Sequence, residues 1–204
     1  MIVKVCGMRE PNNIRAVEQS GADWMGFIFY NRSSRYVVKP PAYLPKQNCR
    51  IGVFVNAPLS VIQTHVTMYK LDKIQLHGNE SPGFCKEIRK FGLPVIKSLP
   101  VIPVSELTDW TVYQDAADYL LFDTACKGYG GSGKSFDWSL LEQYKGELPF
   151  LLSGGIRASH LSELQQFSHP RWAGIDLNSG FETAPGMKDA PTLRLFISQF
   201  KQLK

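Results

Sequence analysis

Eight short runs rich in Val, Ile, Leu and Phe recur along the chain, and longer amphipathic stretches lie between most of them. That alternation is what a parallel sheet demands, because parallel neighbours need a crossover connection rather than a tight hairpin. The runs are Ile2 to Cys6, Trp24 to Phe29, Arg50 to Val55, Lys73 to His77, Pro94 to Ser98, Tyr119 to Asp123, Phe150 to Ser153 and Ala173 to Asp176. The predicted helices are Pro11 to Ser20, Leu59 to Tyr69, Pro82 to Phe91, Val104 to Ala116, Trp138 to Tyr144, Ala158 to Phe167 and Thr192 to Gln202, several opened by Pro or a Ser, Asn or Asp cap. Eight repeats without a second cluster of strands favour a closed (β/α)8 barrel over an open doubly wound sheet. The expected fold is therefore α/β, a small barrel in which residues 1–204 form one domain.

Strand side chains alternate between faces, so if Cys6 points into the barrel, Lys4 and Ile2 do too, and Leu121 shares a face with Asp123. Barrel active sites lie at the carboxyl ends of the strands. Those ends carry Cys6, Asn56, His77, Ser98, Asp123, Ser153 and Asp176, more polar than a purely structural rim requires. A lone Cys is ordinarily a core residue, but Cys6 directly before Gly7 places its thiol at the mouth. Asp123 follows the apolar Leu120-Leu121-Phe122, which desolvates a carboxylate and favours its proton-carrying form; the plain alternative is a rim Asp capping the next loop. His77 reads as a hydrogen-bonding rim residue rather than a base.

The segment Gly128-Tyr129-Gly130-Gly131-Ser132-Gly133-Lys134-Ser135 satisfies both G-x-G-x-x-G and the phosphate-cradling G-x-x-x-x-G-K-[ST]. The dinucleotide reading fails on context: Thr124 to Lys127 separate it from its strand, and the next strand ends in Ser153-Gly154-Gly155 rather than an acid. The nucleotide P-loop is a stronger rival. Too little chain follows Lys134 for its usual core, however, and Asp137 looks like an N-cap that starts a new helix where the P-loop helix should already run. A glycine-rich lid over a ligand is the simpler reading. Ser153-Gly154-Gly155 and Asn178-Ser179-Gly180 follow the seventh and eighth strands, where barrels often bind phosphate through backbone N–H groups.

Composition narrows the class further. The chain is 44% hydrophobic and 20% charged, enough for a proper core, and its net charge of +5 suits an anionic small molecule without implying nucleic acid. Cys6, Cys49, Cys85 and Cys126 include no Cys-x-x-Cys pair, which argues against a zinc ribbon or a disulfide framework. No apolar run approaches the ~20 residues of a membrane helix, and Met1-Ile2-Val3-Lys4 leads straight into a strand without a signal-peptide pattern. The expected compartment is the cytoplasm.

Taken together the blocks resemble the phosphoribosylanthranilate isomerase family of tryptophan biosynthesis. The matching segments are Lys4-Val5-Cys6-Gly7, Gly21-Ala22-Asp23 through Gly26-Phe27-Ile28-Phe29, Ser33-Ser34-Arg35-Tyr36-Val37, Gly52-Val53-Phe54-Val55-Asn56 and Gln75-Leu76-His77-Gly78. They continue through Phe122-Asp123-Thr124, residues 130–138, Ser153-Gly154-Gly155, and Asp176 to Glu182 with Pro185-Gly186-Met187-Lys188-Asp189. Arg9, Ser153 and Asn178 depart from the pattern, standing where Thr, Ala and Ser are expected. The resemblance implies an Amadori rearrangement of a phosphoribosylated anthranilate by one acid and one base, with Cys6 as base and Asp123 as acid. It further implies Arg35 on the anthranilate carboxylate, and Gly154, Gly155, Ser179 and Gly180 on the phosphate. Because the substrate nitrogen serves as electron sink, no metal, pyridoxal or nicotinamide cofactor is required. The implied partner is a small phosphosugar, with neither nucleic acid nor membrane, acted on by a monomer or homodimer. A P-loop enzyme using Lys134 and Ser135, and a catalytically silent phosphosugar-binding barrel, are the competing classes.

Overall fold

In the computed structural model, which describes residues 1–101, 109–124 and 137–203, all eight apolar runs are strands. They are β1 (Ile2–Cys6), β2 (Trp24–Ile28), β3 (Cys49–Phe54), β4 (Lys73–Leu76), β5 (Val95–Val101), β6 (Tyr119–Thr124), β7 (Phe150–Leu152) and β8 (Trp172–Leu177). They pair in sequence order, all parallel, and β8 pairs with β1 to close the barrel. The α-helices are α1 (Pro11–Glu18), α2 (Leu59–Tyr69), α3 (Pro82–Arg89), α4 (Leu161–Gln166) and α5 (Ala190–Gln202).

Local chemistry explains where several helices begin. Pro11 and Pro82 occupy first-turn positions that lose no hydrogen bond, Ser81 Oγ accepts the Phe84 N–H at 3.2 Å, and Asp189 caps α5 through Thr192. Three expected helices differ. Trp138–Gln143 is a tighter 3-10 helix that stops where Tyr144 turns extended, and the helix expected over 158–167 opens with a 3-10 turn, Ala158–His160, before α4. Of the expected helix over 104–116, residues 104–108 lie outside the described residues, and the rest contains a 3-10 turn at Trp110–Tyr113. A two-stranded antiparallel hairpin after β8, β9 (Glu182–Ala184) and β10 (Met187–Lys188), has no counterpart among the expected elements.

The alternation predicted for the strands holds. Trp24, Ile51, Ile96, Leu121 and Leu151 form a buried plug inside the barrel, with Trp24 edge-on to Tyr119 at 5.3 Å. The opposite strand faces join the larger core under the helices, where Leu193, Phe196, Ile197 and Phe200 of α5 are buried. At ~1.5–3 kcal/mol for each fully buried large apolar side chain, this stripe holds α5 against the barrel far more strongly than helix propensity could.

Outside the barrel wall, Lys97 is 1% exposed and its Nζ lies 2.8 Å from Glu80 Oε2 and 2.6 Å from the Gly78 carbonyl. Glu80 also accepts the backbone N–H groups of Asn56, at 2.8 Å, and Gly78, at 2.9 Å. One buried pair thus fixes the loops after β3 and β4 at the barrel mouth. Removing one member leaves the other charge buried without a partner. Glu80→Ala should therefore lower unfolding stability in urea by about 3–5 kcal/mol. A loss below about 1 kcal/mol would mean the pair is dispensable to the fold.

Candidate active site

A cavity of about 560 Å³ opens at the carboxyl ends of the strands, lined by Cys6, Arg35, Asp123, Gly154, Gly155, Ser179 and Gly180 together with thirteen other residues. The seven residues given roles by the resemblance therefore line one space; of the other polar strand ends, His77, Ser153 and Asp176 line it too, and Asn56 and Ser98 do not. Strand alternation assembles it, since Val53 with Val55, Gln75 with His77, and Asp176 with Asn178 line the cavity at spacings of two.

Cys6 ends β1 and is 4% exposed. Its neighbour across the strand pair is Gly26, and a Cβ there would sit 2.8 Å from Cys6 Sγ, so glycine leaves the space the thiol occupies. Burial pushes the thiol above its ordinary range, while Lys4 and Lys188 pull it part of the way back. Lys4 lies inside the barrel, fully buried, with Nζ 2.8 Å from Asp176 Oδ2. Burial lowers this ammonium, but Asp176 and Cys6 outweigh that and hold it above its ordinary range.

Asp123, at the end of β6 and with a side chain 15% exposed, turns Oδ2 towards His77 Nε2 at 3.4 Å. Its Oδ1 accepts the Thr124 N–H at 2.9 Å. The other ring nitrogen of His77 lies 3.0 Å from Gln75 Nε2, which also reaches Ser98 Oγ at 3.0 Å. His77 thus hydrogen-bonds Gln75 at the rim and faces the acid candidate at ion-pair distance.

Arg35, between β2 and β3, already has a carboxylate partner within the chain. Its Nε and Nη2 grip Glu182 at 2.7–3.0 Å, leaving Nη1 without a partner among the described residues. Glu182 also receives Lys188 Nζ at 2.6 Å and the Gly186 N–H at 3.0 Å, and Lys188 Nζ reaches Asn178 Oδ1 at 2.7 Å. Burial raises the Glu182 carboxyl, yet Arg35 and Lys188 more than reverse it and hold it below the usual range. Arg9 ties the two sides together, donating to the Ser34 carbonyl at 3.0 Å and to that of Pro185 at 2.9 Å.

After β7, Gly154 and Gly155 adopt φ of 86° and 67°, and a Cβ on Gly154 would strike Thr124 Oγ1 at 2.1 Å, so only glycine fits. Ser179 and Gly180 begin a 3-10 turn whose first bond runs from Phe181 N to Asn178 O, leaving the two N–H groups before it unused by the turn. The glycine-rich segment 128–133, with Lys134 and Ser135, lies outside the described residues, and so does Cys126. Among the described residues no cluster of His, Cys, Asp and Glu could hold a metal ion, and no helix is long and apolar enough to cross a membrane.

Sequence reasoning did not assign Glu182, Lys188 or the Lys4–Asp176 pair a place in the site. The parity rule already pointed Lys4 inward, and that was the signal for a buried counter-charge. Glu182 and Lys188 belong to the unforeseen hairpin.

Residues 3–199 match the family described as N-(5'phosphoribosyl)anthranilate (PRA) isomerase. The chain is 56% identical over 202 residues to the N-(5'-phosphoribosyl)anthranilate isomerase of Phocaeicola vulgatus, covering 99% of this chain and 98% of that one. It is 51% identical over 205 residues to the protein of the same name from Parabacteroides distasonis, covering 98% and 93%. The crystal structure of phosphoribosyl anthranilate isomerase from Thermotoga maritima superposes with a TM-score of 0.85 at 33% identity, over 99% of this chain and 100% of that one. A family member in complex with reduced 1-(o-carboxyphenylamino)-1-deoxyribulose 5-phosphate superposes with a TM-score of 0.82 at 30% identity, over 99% and 100%. Matches of this extent, on a closed eight-stranded parallel barrel, place the chain in the phosphoribosylanthranilate isomerase family.

Proposed function

We propose that this barrel converts N-(5'-phosphoribosyl)anthranilate to 1-(o-carboxyphenylamino)-1-deoxyribulose 5-phosphate, with Cys6 as base and Asp123 as acid. The observation that carries the reading is that Cys6 and Asp123 face one cavity from strands three apart around the ring. Asp123 gives its proton to the furanose ring oxygen as the C1–O bond breaks, and the nitrogen lone pair closes to an iminium. Cys6, as thiolate, then takes the hydrogen on the second sugar carbon, made acidic by the adjacent C=N bond. The electron pair moves to form the enolamine, which relaxes to the ketone. Lys4 sets its cation beside the thiolate that this step needs. The backbone N–H groups of Gly154, Gly155, Ser179 and Gly180 suit the phosphate, and Nη1 of Arg35 the anthranilate carboxylate. A small phosphosugar acted on in the cytoplasm by a monomer or homodimer, the barrel being one domain, completes the reading; a dimeric relative from Thermotoga maritima also exists as derived monomers.

Loss of anthranilate fluorescence on adding substrate tests the activity directly. Millimolar ATP with magnesium should give no thermal stabilisation while phosphorylated product analogues do, because a ligand of the native state raises its melting temperature. The reverse pattern would favour a P-loop enzyme using Lys134 and Ser135.

The base has a pH signature. Since burial holds the thiol above the ordinary 9.0, the thiolate fraction rises through neutral and mildly alkaline pH. Alkylation of Cys6 by iodoacetamide should accelerate about tenfold per pH unit from 7 to 9 without levelling. Cys6→Ser should bind a product analogue and lose most turnover, and near-normal turnover would remove Cys6 from the mechanism.

Asp123→Asn keeps the shape and removes the proton, so turnover should fall on the order of 10²-fold or more with folding intact. Asp137, which accepts the Ser139 N–H at 3.0 Å as a helix cap, is the control. Asn caps as well as Asp, so Asp137→Asn should leave turnover within about twofold. The opposite pattern would transfer the acid role away from Asp123.

A further inference from the structure

The mechanism above uses Lys4 as a nearby cation but leaves its partner without a task. Asp176 is 6% exposed, lines the cavity, and gives one oxygen, Oδ2, to Lys4 at 2.8 Å. The other, Oδ1, is buried and has no hydrogen-bond partner among the described residues. A buried carboxylate oxygen without a donor is costly, and such atoms in native folds are almost always satisfied. Gln75 Oε1, on the same cavity wall, likewise has no partner among the described residues, but it belongs to a neutral amide that is already fixed by two bonds from its nitrogen.

We propose that Asp176 is a substrate-binding residue whose Oδ1 accepts a hydrogen bond from the hydroxyl on the second sugar carbon. The inference rests on the rearrangement assigned above. Position argues for that hydroxyl over the others. Asp176 pairs in register with Lys4 and bonds its ammonium at 2.8 Å, and Lys4 lies two residues before Cys6 on the same inward face. The carboxylate is therefore tethered next to the group that removes hydrogen from the second carbon. In ring order β8 lies between β1, which carries Cys6, and β6, which carries Asp123, and all three side chains line the same cavity, so Asp176 stands between base and acid. Lys4 occupies Oδ2 and so holds Oδ1 in one direction. An acceptor fixed there orients the second carbon so that its hydrogen, on the other bond, meets the thiolate, and it rejects sugars lacking the hydroxyl because Oδ1 then stays unpaired. A purely structural ion pair would hold β1 to β8 and be indifferent to the sugar.

Ligand deletion tests this on the unaltered protein, with the reduced product analogue, which carries a hydroxyl at the second carbon, and its 2-deoxy and 3-deoxy counterparts as probes. Calorimetry should show the 2-deoxy compound binding about 10- to 100-fold more weakly than the parent, with a smaller loss for the 3-deoxy compound. Asp176→Ala should shrink the 2-deoxy penalty to within about threefold, as should Lys4→Met/Asp176→Leu, in which no ammonium is left buried without its counter-ion. Equal binding of parent and 2-deoxy compound, or a 2-deoxy penalty that survives both variants, would overturn the assignment and leave the pair structural. Failure of the parent analogue to bind the unaltered protein would instead overturn the proposed function.

Discussion

Closing the ring between β1 and β8 puts a lysine where a barrel ordinarily keeps apolar side chains, and this protein accommodates the charge by facing it with Asp176. An isolated buried ammonium would cost several kcal/mol, so the last strand is chemically matched to the first. The same pair sets the electrostatics of the cavity floor. Lys4 keeps a positive charge beside the thiol and offsets part of the rise that burial imposes on it. Fold closure and the reactivity of Cys6 thus draw on one interaction, and a change made to improve either acts on both.

A second ionic hub stands at the cavity rim. Glu182 gathers Arg35 from the loop after β2 and Lys188 from β10, and Lys188 passes the connection to Asn178. Arg9 and Asn13 fasten the same hairpin from below, Asn13 by two backbone bonds of 2.8 Å to Lys188. Arg35 is therefore held in a fixed orientation, with part of its hydrogen-bonding capacity already committed.

The barrel was legible because parallel strands leave a strong record. Runs such as Phe150 to Leu152, buried on both faces, cannot be mistaken for surface segments, and period two fixed which residues turn inward. That Cys6, Asp123, Gly154 and Gly180 line one cavity followed from strand ends and turn chemistry together with family resemblance. The hairpin was not legible because Glu182–Ala184 and Met187–Lys188 are too short and too polar for any periodicity to register. The grip of Glu182 on Arg35 was invisible for a different reason. It joins positions 147 residues apart, and a single sequence holds no record of which distant charges meet. The short 3-10 segments were overcalled because 3-10 and α helices bury similar faces over one turn.

The ties that complete the mouth join the two ends of the chain: Lys4 to Asp176, Arg9 to Pro185 and Asn13 to Lys188 are each separated by 172 to 176 residues. During synthesis at about 5–20 residues per second, β1 therefore waits roughly ten to thirty seconds for the strand that covers its free edge. Through that interval the nascent protein presents an unpaired strand with Lys4 in its middle, and a charged side chain there discourages pairing with the wrong neighbour. The residue that later serves the cavity floor is thus also placed to guard an open edge while the ribosome finishes the ring.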